Sequence, residues 1–239
     1  MKLHSKLLIA FCSLLLFTSC SRQASLEDKR EQMIQRQLIW RGITDEPILK
    51  TFRMTKREEF VLPAFRHKAY DDLEVPIGEG QNLDRPYEDA MMIKAMNIQP
   101  GDKVLEVGTG AGYVAALMSP LAKEVHTIEI LEPLATSSRQ RLERLGYQNV
   151  KVYFGDGFKG IPSEAPFDSI ILTCSPDNVP SPLVEQLKEG GRIVLPLGSD
   201  KRFQRLLVYT KQHHQLKLVQ ELDAATFVPM EGIIKEKTK

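Results

Sequence analysis

From residue 25 onward the chain sets helical patterns against short apolar runs. Ser25-Leu26-Glu27-Asp28 opens like a capped helix, a hydroxyl with an acid three residues on. Met33, Ile34, Gln37, Leu38 and Arg41 follow at helical spacing, and Gly42 ends the pattern. Trp40, on that helix, is expected in the core. A second helix is expected after Thr44 or Asp45, with Ile48, Leu49, Phe52 and Met54 as its buried face. Between Pro63 and Pro86 no helical or strand period persists, and long irregular connections often carry function. After Pro100-Gly101 the texture changes. Lys103–Val107, Val125–Ile130, Val150–Phe154, Ser169–Thr173 and Arg192–Leu197 read as strands. Helical runs lie at 113–121, Pro133–Leu145 and Leu183–Leu187, and Leu206–Thr210 with Leu216–Leu222 reads as an antiparallel pair. Strands alternating with helices predict an α/β fold with a mostly parallel sheet covered on both faces.

The first twenty residues are unlike the rest. Lys2 and Lys6 precede an apolar run, Leu7–Phe17, and Thr18-Ser19-Cys20 closes it with small residues. That layout is an export signal, and the run is too short to span a bilayer as a stable helix. A cysteine at this point resembles a bacterial lipoprotein signal, with Cys20 as the lipidated first residue of the mature chain. Residues 1–19 are therefore set apart as the signal, 20–100 as an N-terminal helical and substrate-loop region, and 101–239 as the core. Residues 26–100 are expected to form one structural domain with that core. The full 239 residues, 42% apolar and 26% charged, carry a formal charge of +1, and the mature chain −1 once Lys2 and Lys6 leave. Neither figure offers the concentrated basic surface that nucleic acid requires. With three cysteines, one of them in the signal and one the lipid acceptor, no disulfide framework is available.

The chemistry concentrates in Val104-Leu105-Glu106-Val107-Gly108-Thr109-Gly110-Ala111-Gly112-Tyr113. Glycines at alternate positions after a strand let a ligand approach the backbone where a Cβ would clash. A dinucleotide loop of the G-x-G-x-x-G type would need glycine where Tyr113 stands, which counts against a nicotinamide oxidoreductase. Glu129 ends the second strand, where an acid can accept from two ribose hydroxyls, and Ile130 follows it. Asp156, in Gly155-Asp156-Gly157 after the third strand, is placed to accept from an adenine amino group.

Residues 104–113 with Glu129, Asp156, Ala165-Pro166-Phe167-Asp168 and Leu187-Lys188-Glu189-Gly190-Gly191-Arg192 resemble the successive motifs of class I S-adenosylmethionine-dependent methyltransferases. More narrowly, Arg57-Glu58-Glu59-Phe60-Val61, Ala69-Tyr70-Asp71-Asp72, Pro76-Ile77-Gly78-Glu79-Gly80-Gln81, Pro86-Tyr87, Leu195-Pro196-Leu197-Gly198 and Phe227-Val228-Pro229 resemble the protein-L-isoaspartate O-methyltransferase family. The resemblance implies a Rossmann-like, seven-stranded, mostly parallel sheet with helices on both faces and an antiparallel C-terminal strand pair. It implies S-adenosylmethionine as cofactor, held by Glu106, Gly108, Thr109, Gly110, Gly112, Glu129, Ile130, Asp156 and Gly157. The acceptor side falls on Ile77, Gly78, Gln81 and Val228, with Asn82 and Asp84 as catalytic candidates. The implied substrates are isoaspartyl-containing proteins or peptides, the implied state a monomer, and the family's compartment the cytoplasm. The signal instead implies an exported lipoprotein touching the membrane only through Cys20.

A carboxylate acceptor is ionised at neutral pH and needs no general base, so such an enzyme works mainly by positioning and by excluding water. One residue departs from the family. Its segment reads Thr, an apolar residue and Ser before the next residue and Pro, whereas this chain has Gln81-Asn82-Leu83-Asp84-Arg85-Pro86. Ionised Asp84 would be an acceptor-only anion beside an anionic nucleophile, a repulsion of ~4 kcal/mol at ~4 Å and an effective dielectric of about 20. Three readings stay open: Asp84 is protonated or paired with Arg85; the acceptor is an amine or hydroxyl; or the chain binds S-adenosylmethionine without transferring its methyl. Cys174 reads as a small buried residue rather than a nucleophile, Asp71-Asp72 as turn contacts, and His213-His214 as a polar turn. No Cys or His spacing suits zinc, so no metal is expected. Lys56-Arg57-Glu58-Glu59 reads as mixed charge on a solvated surface.

Overall fold

The computed structural model describes residues 24–198, 200, 204–222 and 226–232, so the signal and Cys20 lie outside the described residues. A small antiparallel hairpin pairs β1 (Val75–Gly78) with β2 (Gln81–Leu83). The large sheet holds β3 (Lys103–Val107), β4 (Glu124–Glu129), β5 (Val150–Phe154), β6 (Phe167–Leu172), β7 (Leu187–Leu197), β8 (Arg205–Gln212) and β9 (Gln215–Glu221). Their order is β5-β4-β3-β6-β7-β8-β9. Pairing is parallel from β5 to β7 and antiparallel from β7 through β9. This is the expected Rossmann-like α/β sheet with its antiparallel C-terminal pair.

The central strands read as unbroken apolar runs because both faces are covered. Val104, Ile171 and Val194 point to one cluster, shared with α1 (Leu26–Met33), α2 (Glu46–Met54), α3 (Pro86–Met96), α4 (Tyr113–Met118) and α5 (Glu132–Arg144). Their neighbours Leu105, Ile170, Leu172, Ile193 and Leu195 point to the other, which Leu183 of α6 (Ser181–Gln186) covers. The alternation is the two-residue period of a strand, doubled by burial on both sides.

Four expectations need correction. Trp40 is 87% exposed, not core. The first helix is α only to Met33, then π-helical over Ile34–Leu38 and 3-10 over Ile39–Arg41. A π turn takes in an extra residue, so positions after it rotate away from the face that α spacing assigns. Met54 is also exposed, because at about 100° per residue it lies some 200° around α2 from Phe52. The 63–86 stretch is not irregular: Pro63–Lys68 is a 3-10 helix, and β1–β2 follows. Strands of four and three residues are too short to display a period. Arg57, finally, is not on a solvated surface but wholly buried. The helix α3 was not legible either, since Lys94 and Asn97 are the exposed positions of 86–97 and no polar face marks it.

Phe52 has no exposed surface and meets the Tyr113 ring edge-on at 6.3 Å between centroids. Phe52→Ala is expected to lower unfolding free energy by ~3–5 kcal/mol, and Trp40→Ser by no more than about 0.5 kcal/mol. Urea unfolding of both variants checks the reversal of the sequence-based ranking.

Candidate active site

At the carboxyl ends of β3, β4 and β6 lies an open cleft of about 1000 Å³, solvent at its mouth included. The chain runs outward from β3 to β4 and β5, then returns to β6 on the other side of β3. Such a switch point leaves a crevice between diverging loops, where ligands of open α/β sheets bind.

The glycine loop forms the floor. Gly108 N–H donates to Ile128 O at 2.9 Å, which curls the chain over β4. Gly108 has φ +100°, and a Cβ there would fall 2.5 Å from Thr173 Oγ1. Gly112, at φ +86°, caps α4, and a Cβ there would meet Leu142 Cδ1 at 2.9 Å. Glu129 staples the loop from β4: its Oε2 accepts from Gly110 N at 2.8 Å and its Oε1 from Leu131 N at 2.9 Å. Each oxygen keeps a further lone pair.

Glu106 on β3 is 1% exposed. Thr127 Oγ1 donates to its Oε2 at 2.6 Å, so Thr109 Oγ1, 2.6 Å from Thr127 Oγ1, must be the donor in that second contact. Glu106 Oε1 is buried without a partner at the cleft wall. Burial raises this carboxyl well above its usual range, against the pull of the Thr127 hydrogen bond.

The hairpin β1–β2 closes the opposite side, bringing Ile77, Gln81, Asn82 and Asp84 to the cleft, with Val228 and Glu231 at its rim. Asn82 Nδ2 donates to Glu74 Oε2 at 3.4 Å. Ile130, Thr109 and Gly157 border the cleft as well. Gly78, Gly112 and Asp156 do not. Gly78 ends β1, just before the hairpin turn, and Asp156 Oδ1 accepts from Phe158 N at 3.0 Å, capping a 3-10 turn. Cys174 borders the cleft as a thiol pushed up by burial, its Sγ 3.9 Å from Val107 O.

Sequence reading missed Glu74, Asp89 and Arg57. Arg57 Nε donates to Ala69 O at 2.8 Å, Nη2 to Asp84 O at 2.5 Å, and Nη1 to Asp89 Oδ2 at 3.2 Å. Its guanidinium carbon lies 4.8 Å from the Tyr113 ring centroid. Asp84 does not pair with Arg85, whose Nη1 reaches Glu88 at 3.9 Å. Burial, then Asp89, Glu88 and Glu74, hold the Asp84 carboxyl well above the usual carboxylate range, with Arg57 opposing. Burial pushes Asp89 up to about 7 against the same arginine. The signal available in sequence was Pro86 followed by Glu88 and Asp89, the composition of a helix first turn.

Six carboxyl groups line this cleft (Glu74, Asp84, Asp89, Glu106, Glu129 and Glu231), and no Lys, Arg or His does so among the described residues. The cleft suits a cationic ligand of nucleoside type. S-adenosylmethionine fits it: an ammonium or sulfonium is the natural partner of the orphaned Glu106 oxygen, and the free Glu129 lone pairs suit hydroxyls.

The family model for protein-L-isoaspartate(D-aspartate) O-methyltransferase matches residues 28–235. Protein-L-isoaspartate O-methyltransferase 2 of Shewanella sediminis (strain HAW-EB3) is 43% identical over 234 residues, 95% of this chain and 96% of that protein. A solved protein-L-isoaspartate O-methyltransferase superposes with a TM-score of 0.73 at 30% identity, over 85% of this chain and 66% of that one. A Plasmodium falciparum protein of this type, solved in complex with S-adenosyl-L-homocysteine, shares the fold with a TM-score of 0.73 at 21% identity, over 87% and 99% of the two chains. A family match running from α1 past the last described residue takes in the glycine loop and the β1–β2 hairpin together, and the chain belongs to the protein-L-isoaspartate(D-aspartate) O-methyltransferase family.

Proposed function

We propose that this protein methylates the side-chain carboxylate of L-isoaspartyl residues in damaged proteins, with S-adenosylmethionine as donor. The observation that carries this reading is the placement of Ile77, Gln81, Asn82 and Asp84 on one side of a single cleft, with Glu106, Gly108, Gly110 and Glu129 on the other. When bound, S-adenosylmethionine supplies a methyl group on a sulfonium, transferable to a nucleophile without acid or base. Glu106 Oε1 and the two oxygens of Glu129 are the acceptors that would hold it, over the backbone of Gly108–Gly110 and against Ile130 and Gly157. Gln81 and Asn82 offer amide donors to the acceptor, while Ile77 and Val228 shield it from water. Excluding water and fixing the approach are the whole task of the protein, because the acceptor is already an anion.

An isoaspartyl peptide assay with labelled methyl donor tests the reading. Transfer is expected for wild type, and a normal aspartyl peptide should remain unlabelled. Gly108→Ala should weaken S-adenosylhomocysteine binding by roughly ten- to a hundredfold, since its methyl must displace Thr173. Calorimetry checks this. Donor binding without transfer to the isoaspartyl peptide would favour a different acceptor or a binding role.

We further infer export and lipidation from Lys2, Lys6, the Leu7–Phe17 run and Cys20, with a monomer anchored by its lipid alone. Globomycin should make a larger unprocessed precursor accumulate. A product confined to the cytoplasm at full length would place the enzyme where the family resemblance puts it.

A further inference from the structure

Asp84 is half-buried, borders the cleft, and makes no side-chain hydrogen bond or ion pair with any described residue. Asp89 and Glu88 face it from α3, Glu74 from just before β1, and the Cys174 thiol from beyond β6. Arg57 is the cation in this set, and it is committed elsewhere. Its guanidinium pairs with Asp89 and gives its other donors to the carbonyls of Ala69 and Asp84. Arg85 turns to Glu88. One buried positive charge therefore stands among several carboxyl groups and already has its anion. A second anion removed from water here would be uncompensated, and a carboxyl so placed keeps its proton.

A neutral Asp84 offers one O–H donor toward the cleft, as a hydroxyl would, and the ionised form offers none. Resting on the isoaspartyl reading above, we propose that Asp84 recognises the acceptor as a carboxylic acid, donating its O–H to the acceptor carboxylate so that the two share one proton. The Arg57–Asp89 pair decides how firmly that proton is kept. No covalent bond changes in this recognition. After transfer the acceptor is a neutral ester and the proton remains on Asp84, so the hydrogen bond to an anion is replaced by a weaker one as product leaves.

The sign follows from which form binds. The acceptor's own carboxyl is ionised throughout the working range. A raised Asp84 is protonated at low pH, so binding is present there and lost as pH rises through its ionisation. Calorimetric titration of an isoaspartyl peptide into the protein saturated with S-adenosylhomocysteine, in two buffers of different ionisation enthalpy, reads both affinity and protons. Wild-type affinity is expected to fall about tenfold per pH unit beyond the Asp84 ionisation, with uptake rising toward one proton per peptide. Asp84→Ser should remove both the fall and the uptake while still binding peptide at high pH. Asp89→Asn leaves the Arg57 charge to Asp84 and should move the fall to lower pH. Proton uptake that persists in Asp84→Ser, or a wild-type affinity that rises rather than falls as the pH is raised, would overturn the proposal and leave the isoaspartyl reading intact. Failure of wild type and Asp84→Ser to bind the peptide at any pH, with S-adenosylhomocysteine still bound, would overturn both.

Discussion

A guanidinium cannot shed its proton to suit an apolar environment, so Arg57, with no exposed surface, has to find its acceptors within the protein. It finds them on three separate pieces of chain: Ala69 after the 3-10 helix, Asp84 after β2, and Asp89 on α3. Its face lies against Tyr113, the first residue of the helix that follows the glycine loop. One side chain thus fixes the β1–β2 hairpin relative to the glycine loop, two elements that share no strand pairing. Removing one member of such a buried pair typically costs about 3–5 kcal/mol, because the other is left as a lone buried charge.

The same arginine shapes the electrostatics of the cleft. Its charge is neutralised by Asp89, itself part of the wall, and the wall presents carboxyl groups without a basic side chain among the described residues. An acidic cleft favours a cationic donor and disfavours an anionic acceptor. The acids differ, however, in what they face. Glu129 is occupied by the backbone of its own loops, and Glu106 keeps one oxygen for a ligand. Asp84, on the hairpin side, has neighbours that leave it without a counter-charge of its own. Desolvation turns that apparent conflict into a hydrogen-bond donor, since a proton is the least costly counter-ion for a carboxyl the site cannot otherwise neutralise.

Much of the sheet was legible in the residues because its strands are short, apolar and punctuated by glycine and proline at the expected places. The glycine loop and Glu129 were legible for a related reason: local backbone geometry demands those residue types near any ligand at a strand end. The hairpin was not, since strands as short as Val75–Gly78 and Gln81–Leu83 carry too few positions to show alternation. Trp40, expected in the core as a large apolar side chain, is exposed beyond a π turn that shifts the faces of its helix. Asp156 reads in sequence as a ligand contact, and in the fold its Oδ1 also caps the turn that presents Gly157.

The alternation of strands and helices and the glycine loop that ends β3 could be read from the residues alone. Each follows from interactions between residues close along the chain, which leave their mark in composition and spacing. That Arg57 is buried, and which acid it pairs with, is set by three-dimensional packing. Residues 57 and 89 are brought together where α3 packs against α2 and onto β6 and β7, and no local pattern encodes which distant charges meet. The protonation of Asp84 depends on that meeting, because it is set by the charges and the water around the group rather than by its neighbours in the chain.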